Sequence, residues 1–272
     1  MKKTMSIKQK KEPKEMALPN IFSYIKYFIL SYFSKLTNKK HFITPAIMII
    51  VFSLFFIGNL NAATCITPDA VQSNYGGGTN TQSFTAPAGT SMVIIVTSYG
   101  RLGNSVSSIS FGTGTIIQIG TTVISSTAIA AMYWCANPPS GANNLTVTLS
   151  DPVSSVVGIQ AYKNVDKPIN FVGVPTASKD IVMNVTTSNA DSYVVFGDTA
   201  AQVNLSFSSG TGTQQWISNN SDITSEGGYL DAPSAGAYTI TRICSDKRFW
   251  EAGVAAELPQ KCATQTVTQT VT

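Results

Sequence analysis

The sequence predicts an all-β protein: an antiparallel β-sandwich built from two duplicated halves. Three observations carry this expectation: alternating apolar and hydroxyl residues in short runs, turn signals at close intervals, and one long phrase that occurs twice. Composition agrees, because the 272 residues are 43% hydrophobic and only 12% charged, with 20 Gly and 12 Pro. Such a mixture, rich in Thr and Ser, favours short strands and tight turns over helices.

Taken from the N-terminus, the first 63 residues differ from everything that follows. They hold ten Lys and two Glu, and include the apolar run FITPAIMIIVFSLFFIGNL from Phe42 to Leu60, followed by NAAT. A basic region, an apolar stretch and small residues form the pattern of a secretory signal with an extended basic n-region, cleaved after Ala62 or Ala63. An uncleaved signal anchor is the alternative, since the run approaches the ~20 residues that span a bilayer. Either way residues from Thr64 onward are expected outside the cytosol, secreted or at the cell surface. Membrane contact is expected only through the N-terminal segment, and only if that segment is uncleaved. That exported part carries eight basic and twelve acidic residues, so the formal net charge of +4 belongs to the leader. It has no cluster of cations to neutralise phosphates, which argues against a nucleic-acid partner.

Next come the strands and the turns between them. Turn signals stand at GGGTN from 76, APAG from 86, YGRLGN from 99, GTG from 112 and PPSG from 138. MVIIV (Met92 to Val96) is apolar at every position, as expected for a strand covered on both faces. In NNLTVTLSD, by contrast, Leu145, Val147 and Leu149 alternate with Thr146, Thr148 and Ser150, giving one face for a core and one for water. The phrase NPPSGANNLTVTLSD at 137 returns as DAPSAGAYTITRICSD at 231, with Ala235 inserted in the turn. In both, Pro fixes φ and Gly supplies a left-handed position that launches the next strand. Residues 83–165 lie over 184–259 in the same order, SMVIIVTSY over DSYVVFGDT and ISFGTGT over LSFSSGTGT. A unit of about 95 residues is too long for a solenoid repeat and reads as a duplication.

The run YWCANPPSGANNLTVTLSD into GIQAYKNVDKPINF, with a second half ending AGAYTITRICSDKRFWEAGVAAELP, resembles the secreted bacterial β-sandwich modules, jelly-roll or concanavalin-like, of cell-surface and adhesin-type proteins. The resemblance covers about residues 80 to 259. It implies that residues 64–260 form one sandwich from both halves. The implied role is a non-catalytic module for adhesion or carbohydrate binding. A structural spacer of a larger surface protein, or the accessory domain of a polysaccharide hydrolase, is the alternative.

The residues give little support to catalysis. The one histidine, His41, lies in the leader, so a serine triad lacks its base. Glu251 and Glu257 in WEAGVAAEL share a strand face but stand six residues, hence ~20 Å, apart. Paired glycosidase carboxylates stand ~5–9.5 Å apart, so these two read as solvated strand-face residues. For binding, the candidates are Trp216, Asn219, Asp222 and Glu226 in TGTQQWISNNSDITSEGGY, with Tyr99 and Arg101 at the end of an apolar strand. Aromatic faces stack on sugar rings while amides and carboxylates bond their hydroxyls, which fits a glycan or other surface ligand. The competing reading packs Trp216 beside the core and turns Asp222 and Glu226 to water. Asn219 and Asp222 also offer oxygens to a structural Ca²⁺, and no other cofactor is expected. Trp134 and Trp250 are assigned to packing.

Cys65, Cys135, Cys244 and Cys262 allow three complete pairings. Cys65 with Cys262 is the preferred disulfide because it ties the ends of the sandwich together. Cys135 and Cys244 read alternatively as buried thiols. Residues 261–272 are expected to be a Thr-rich linker or the start of a further module.

Overall fold

Alternation of apolar and hydroxyl side chains resolves into sixteen strands in the computed structural model, which describes residues 67–260 apart from 102, 179, 202–205, 210, 221 and 246–249. The expected leader, the Cys65–Cys262 disulfide and the Thr-rich tail lie outside the described residues. The first half supplies β1 (Thr67–Gly76), β2 (Thr79–Ala86), β3 (Met92–Gly100), β4 (Val106–Phe111), β5 (Ile116–Ser125), β6 (Ala128–Ala136), β7 (Gly141–Leu149) and β8 (Ser155–Lys163). The second supplies β9 (Ile169–Thr176), β10 (Asp180–Thr187), β11 (Ser192–Ala200), β12 (Phe207–Ser209), β13 (Thr213–Asn219), β14 (Thr224–Ala232), β15 (Gly236–Cys244) and β16 (Glu251–Leu258).

The described residues are all-β and antiparallel, and the duplication is complete at the level of topology. The first half makes a five-stranded sheet ordered β1-β8-β3-β6-β5 and a three-stranded sheet ordered β2-β7-β4. The second half makes β9-β16-β11-β14-β13 and β10-β15-β12, the same order strand for strand. Each half therefore closes its own sandwich. In the first, Leu145, Val147 and Leu149 of β7 face Val93, Ile95 and Tyr99 of β3. In the second, Ile181, Met183 and Val185 of β10 pack with Val194 and Phe196 of β11.

A third core joins them, where the expectation was one sandwich shared by both halves. The outer faces of the two five-stranded sheets meet: Met92, Ile94 and Val96 with Met132 on one side, Tyr193, Val195, Val254 and Leu258 on the other. The layers thus run three, five, five and three strands. This is why MVIIV is apolar throughout, since Val93 and Ile95 serve one core while Ile94 and Val96 serve another.

Strand parity also corrects the overlay of the halves. Residue-for-residue matching of SMVIIVTSY with DSYVVFGDT pairs Val93 with Tyr193, yet Val93 faces its own sandwich and Tyr193 faces the interface. Because side chains alternate, a one-residue slip exchanges the faces, so Val93 corresponds to Val194. The launching turns differ as well. Gly141 has φ +79°, left-handed as expected, whereas Gly236 at φ +158° is nearly extended. The extra Ala235 alters the approach to that second turn.

The interface is keyed by close approaches. A Cβ on Gly158 of β8 would lie 2.0 Å from the Trp216 ring, and a Cβ on Gly197 of β11 would lie 2.5 Å from Val96. Each half thus lodges a large side chain over a glycine of the other. Polar contacts cross the same seam: Ser98 and Ser225 hydroxyls are 2.7 Å apart, Ser154 Oγ donates to Asp222 Oδ2 at 2.6 Å, and Asn220 Nδ2 donates to the Gly76 carbonyl at 2.9 Å.

Candidate functional site

The residues singled out from sequence do not converge. Trp216, 6% exposed, fills the interface between the sandwiches. Tyr99 is buried in the first sandwich, while Arg101 is exposed beyond it at φ +73°. Asn219 accepts a hydrogen bond from the Thr224 hydroxyl at 2.6 Å, and Asp222 accepts from Ser154. The two residues offered for Ca²⁺ therefore brace loops. Among the described residues no three His, Cys, Asp or Glu side chains are grouped to hold a metal ion. Trp134 packs against the interface core, but Trp250, assigned to packing, is 45% exposed.

Glu226, Glu251 and Glu257 do not face water; all three are buried in the second sandwich. Glu226 lies opposite Asp198 across the β11/β14 pair, and Arg242 reaches them from β15 in the facing sheet. The guanidinium forms a fork on Glu226, Nε to Oε1 at 2.5 Å and Nη2 to Oε2 at 2.6 Å, and Gln214 Nε2 also donates to Oε2. Its Cζ stands 5.2 Å from the Phe196 ring centroid. Asp198 has no donor on either oxygen, and its carboxylate lies 3.9 Å from Arg242 Nε. Burial, then the charge of Glu226, raise its pKa well above the carboxylate range against the pull of Arg242. In the neutral form Asp198 becomes a donor to Glu226.

Glu251 and Glu257 diverge despite sharing a strand face. Burial lifts Glu251 to about 7, with the Cys244 thiol opposing and Asp180 adding to the rise. For Glu257 burial pulls upward too, but is outweighed by donors. The Ser188 and Asn189 backbone N–H groups and the side chains of Asn189, Ser192 and Asn170 all donate to it, and its pKa is lowered. Glu257 therefore staples the turn before β11.

The duplicate shows that the fold does not require these charges. Thr97 faces Ala131 across β3/β6 where Asp198 faces Glu226, and Val147 stands six residues after Gly141 as Arg242 does after Gly236. The first sandwich is uncharged where the second is ionic.

On the other face of β11 and β14 an open pocket of about 210 Å³ is lined by Tyr193, Tyr229, Asp191, Asp231 and their neighbours. Cross-strand register places it: Tyr193 is opposite Asp231, and Val195 is opposite Tyr229. The two rings lie 4.7 Å apart at 39°, and Tyr162, fully buried, continues the row behind Tyr193 at 6.2 Å. The Tyr162 hydroxyl donates to Gln160 Oε1 at 2.6 Å. Burial, with Asp231 and Tyr229 nearby, pushes Tyr193 up to about 12. The pocket therefore presents the half-buried Tyr229 ring and the exposed Asp231 carboxylate to solvent. Sequence reasoning missed this group, although Tyr229 closes the stretch it searched. The signal lay in strand register, because Tyr193 and Asp231 meet only once β11 and β14 are paired.

Compared with protein-family models, curated proteins and solved structures, the chain matches none.

Proposed function

We propose that the chain is an exported, non-catalytic binding module that displays a carbohydrate-recognition pocket on its second sandwich and serves adhesion. The carrying observation is the half-buried Tyr229 ring, set against the buried Tyr193 ring and opening to solvent beside Asp191 and Asp231. A sugar ring presents C–H groups to an aromatic face and hydroxyls to carboxylate acceptors, and this lining offers both. The basic leader and apolar run support export, and burial keeps Glu251 and Glu257 from a substrate.

A glycan array tests the reading. The wild-type chain should bind a carbohydrate, and Tyr229→Ala and Asp231→Asn should each weaken binding at least about tenfold while the circular dichroism spectrum stays unchanged. Equal binding by both variants removes the pocket from the reading. Failure of the wild type to bind any glycan favours a spacer, a role that duplication of a whole sandwich also suits.

A further inference from the structure

We propose that the second sandwich holds an acid-favoured core. Asp198 and Glu226 share the buried guanidinium of Arg242 and Glu251 is buried on the neighbouring strand with no cation of its own, so the folded chain is most stable below neutrality and loosens as these carboxyls ionise.

The groups facing the cluster are few. β11 contributes Asp198, β14 Glu226, β16 Glu251, β15 Arg242 and Cys244, and β10 Asp180, while Gln214 from β13 donates to Glu226. Asp198, Glu226, Glu251 and Arg242 are all 0% exposed. Full ionisation would leave Asp198 and Glu226 with one guanidinium between them and Glu251 with none, all inside the sandwich. Glu226 takes the fork from Arg242, leaving neither Asp198 nor Glu251 with an N–H or O–H donor on its oxygens. A buried, unpaired carboxylate is costly, and the protonated form removes that cost.

The sign follows from linkage. A carboxyl that holds its proton more tightly in the folded chain contributes stability that is full below its unfolded pKa of about 4.5. That contribution is lost as pH rises through the folded value, about 7 for Glu251. Glu257, with its lowered pKa, acts oppositely and only at the acid end. The described residues contain no histidine to mask the window.

Chemical denaturation of the intact chain between pH 5 and pH 8.5 tests the proposal. The wild-type unfolding equilibrium constant should rise at least about 100-fold across that range, most of which Glu251 alone would supply. Glu251→Gln, neutral at every pH, should make the rise smaller by at least about tenfold. Asp198→Asn, the second neutral variant, should likewise reduce it, and serves alone if Glu251→Gln does not fold. A wild type whose stability is flat from pH 5 to 8.5, or a rise undiminished in the folded variants, overturns the proposal.

Discussion

Arg242 is the residue on which the second sandwich is most conditional. Its fork on Glu226 lies wholly inside the protein, so truncating it leaves carboxylates with no counter-charge. Arg242→Ala is expected to cost about 3–5 kcal/mol, read as a shift in the denaturation midpoint at pH 7. The first half indicates the opposite result for wholesale replacement, because Thr97, Ala131 and Val147 occupy the matching places. The triple change Asp198→Val, Glu226→Leu, Arg242→Met should recover most of that loss, to within about 1–2 kcal/mol of wild type. An equal loss in both variants would show that the ionic arrangement itself stabilises the core.

Among elements, β8 and β13 decide how the sandwiches meet. Gly158 lies against the Trp216 ring, and Gly227, the cross-strand neighbour of Trp216, approaches the same ring. Gly158→Ala is therefore expected to destabilise by about 1–3 kcal/mol through overpacking. Adding Trp216→Leu should return part of that loss, a coupling that a double-mutant cycle measures. Legibility from sequence also divides by element. LTVTLS and MVIIV announced their strands and their burial, because alternation and its absence are direct records of one covered face or two. WEAGVAAEL misled, since a glutamate alternating with apolar residues looks solvated. Glu251 and Glu257 instead point inward on β16, with Val254 and Ala256 of the same strand in the interface core. Trp216 looked like a display residue within a polar stretch. Its destination depended on a glycine of the other half, about 60 residues away in the chain and invisible to local pattern.

For the whole molecule, the shared core between the five-stranded sheets makes each sandwich incomplete alone. Residues 164–260 expressed separately would expose Tyr193, Val195, Val254 and Leu258 on one face. Such a patch drives association. That fragment is expected to aggregate or bind a hydrophobic dye, while the chain from Thr64 unfolds in one calorimetric transition with matching calorimetric and van't Hoff enthalpies. Two well-separated transitions would show that the sandwiches are independent. The duplication was readable from PSG and PSAG phrases, but its outcome was not: the same repeat serves one joint sandwich or two stacked ones, and only the facing surfaces distinguish them.

The reciprocal seating of Trp216 over Gly158 and Val96 over Gly197 has a bearing on ancestry and assembly. A lone ancestral half would have had to mate with an identical twin through a two-fold axis, with the same surface on both sides. The present surfaces have become lock and key, each holding the filler for the other's hollow. Partner choice is thus written into the fusion, and a second copy of the chain finds that mating face already taken.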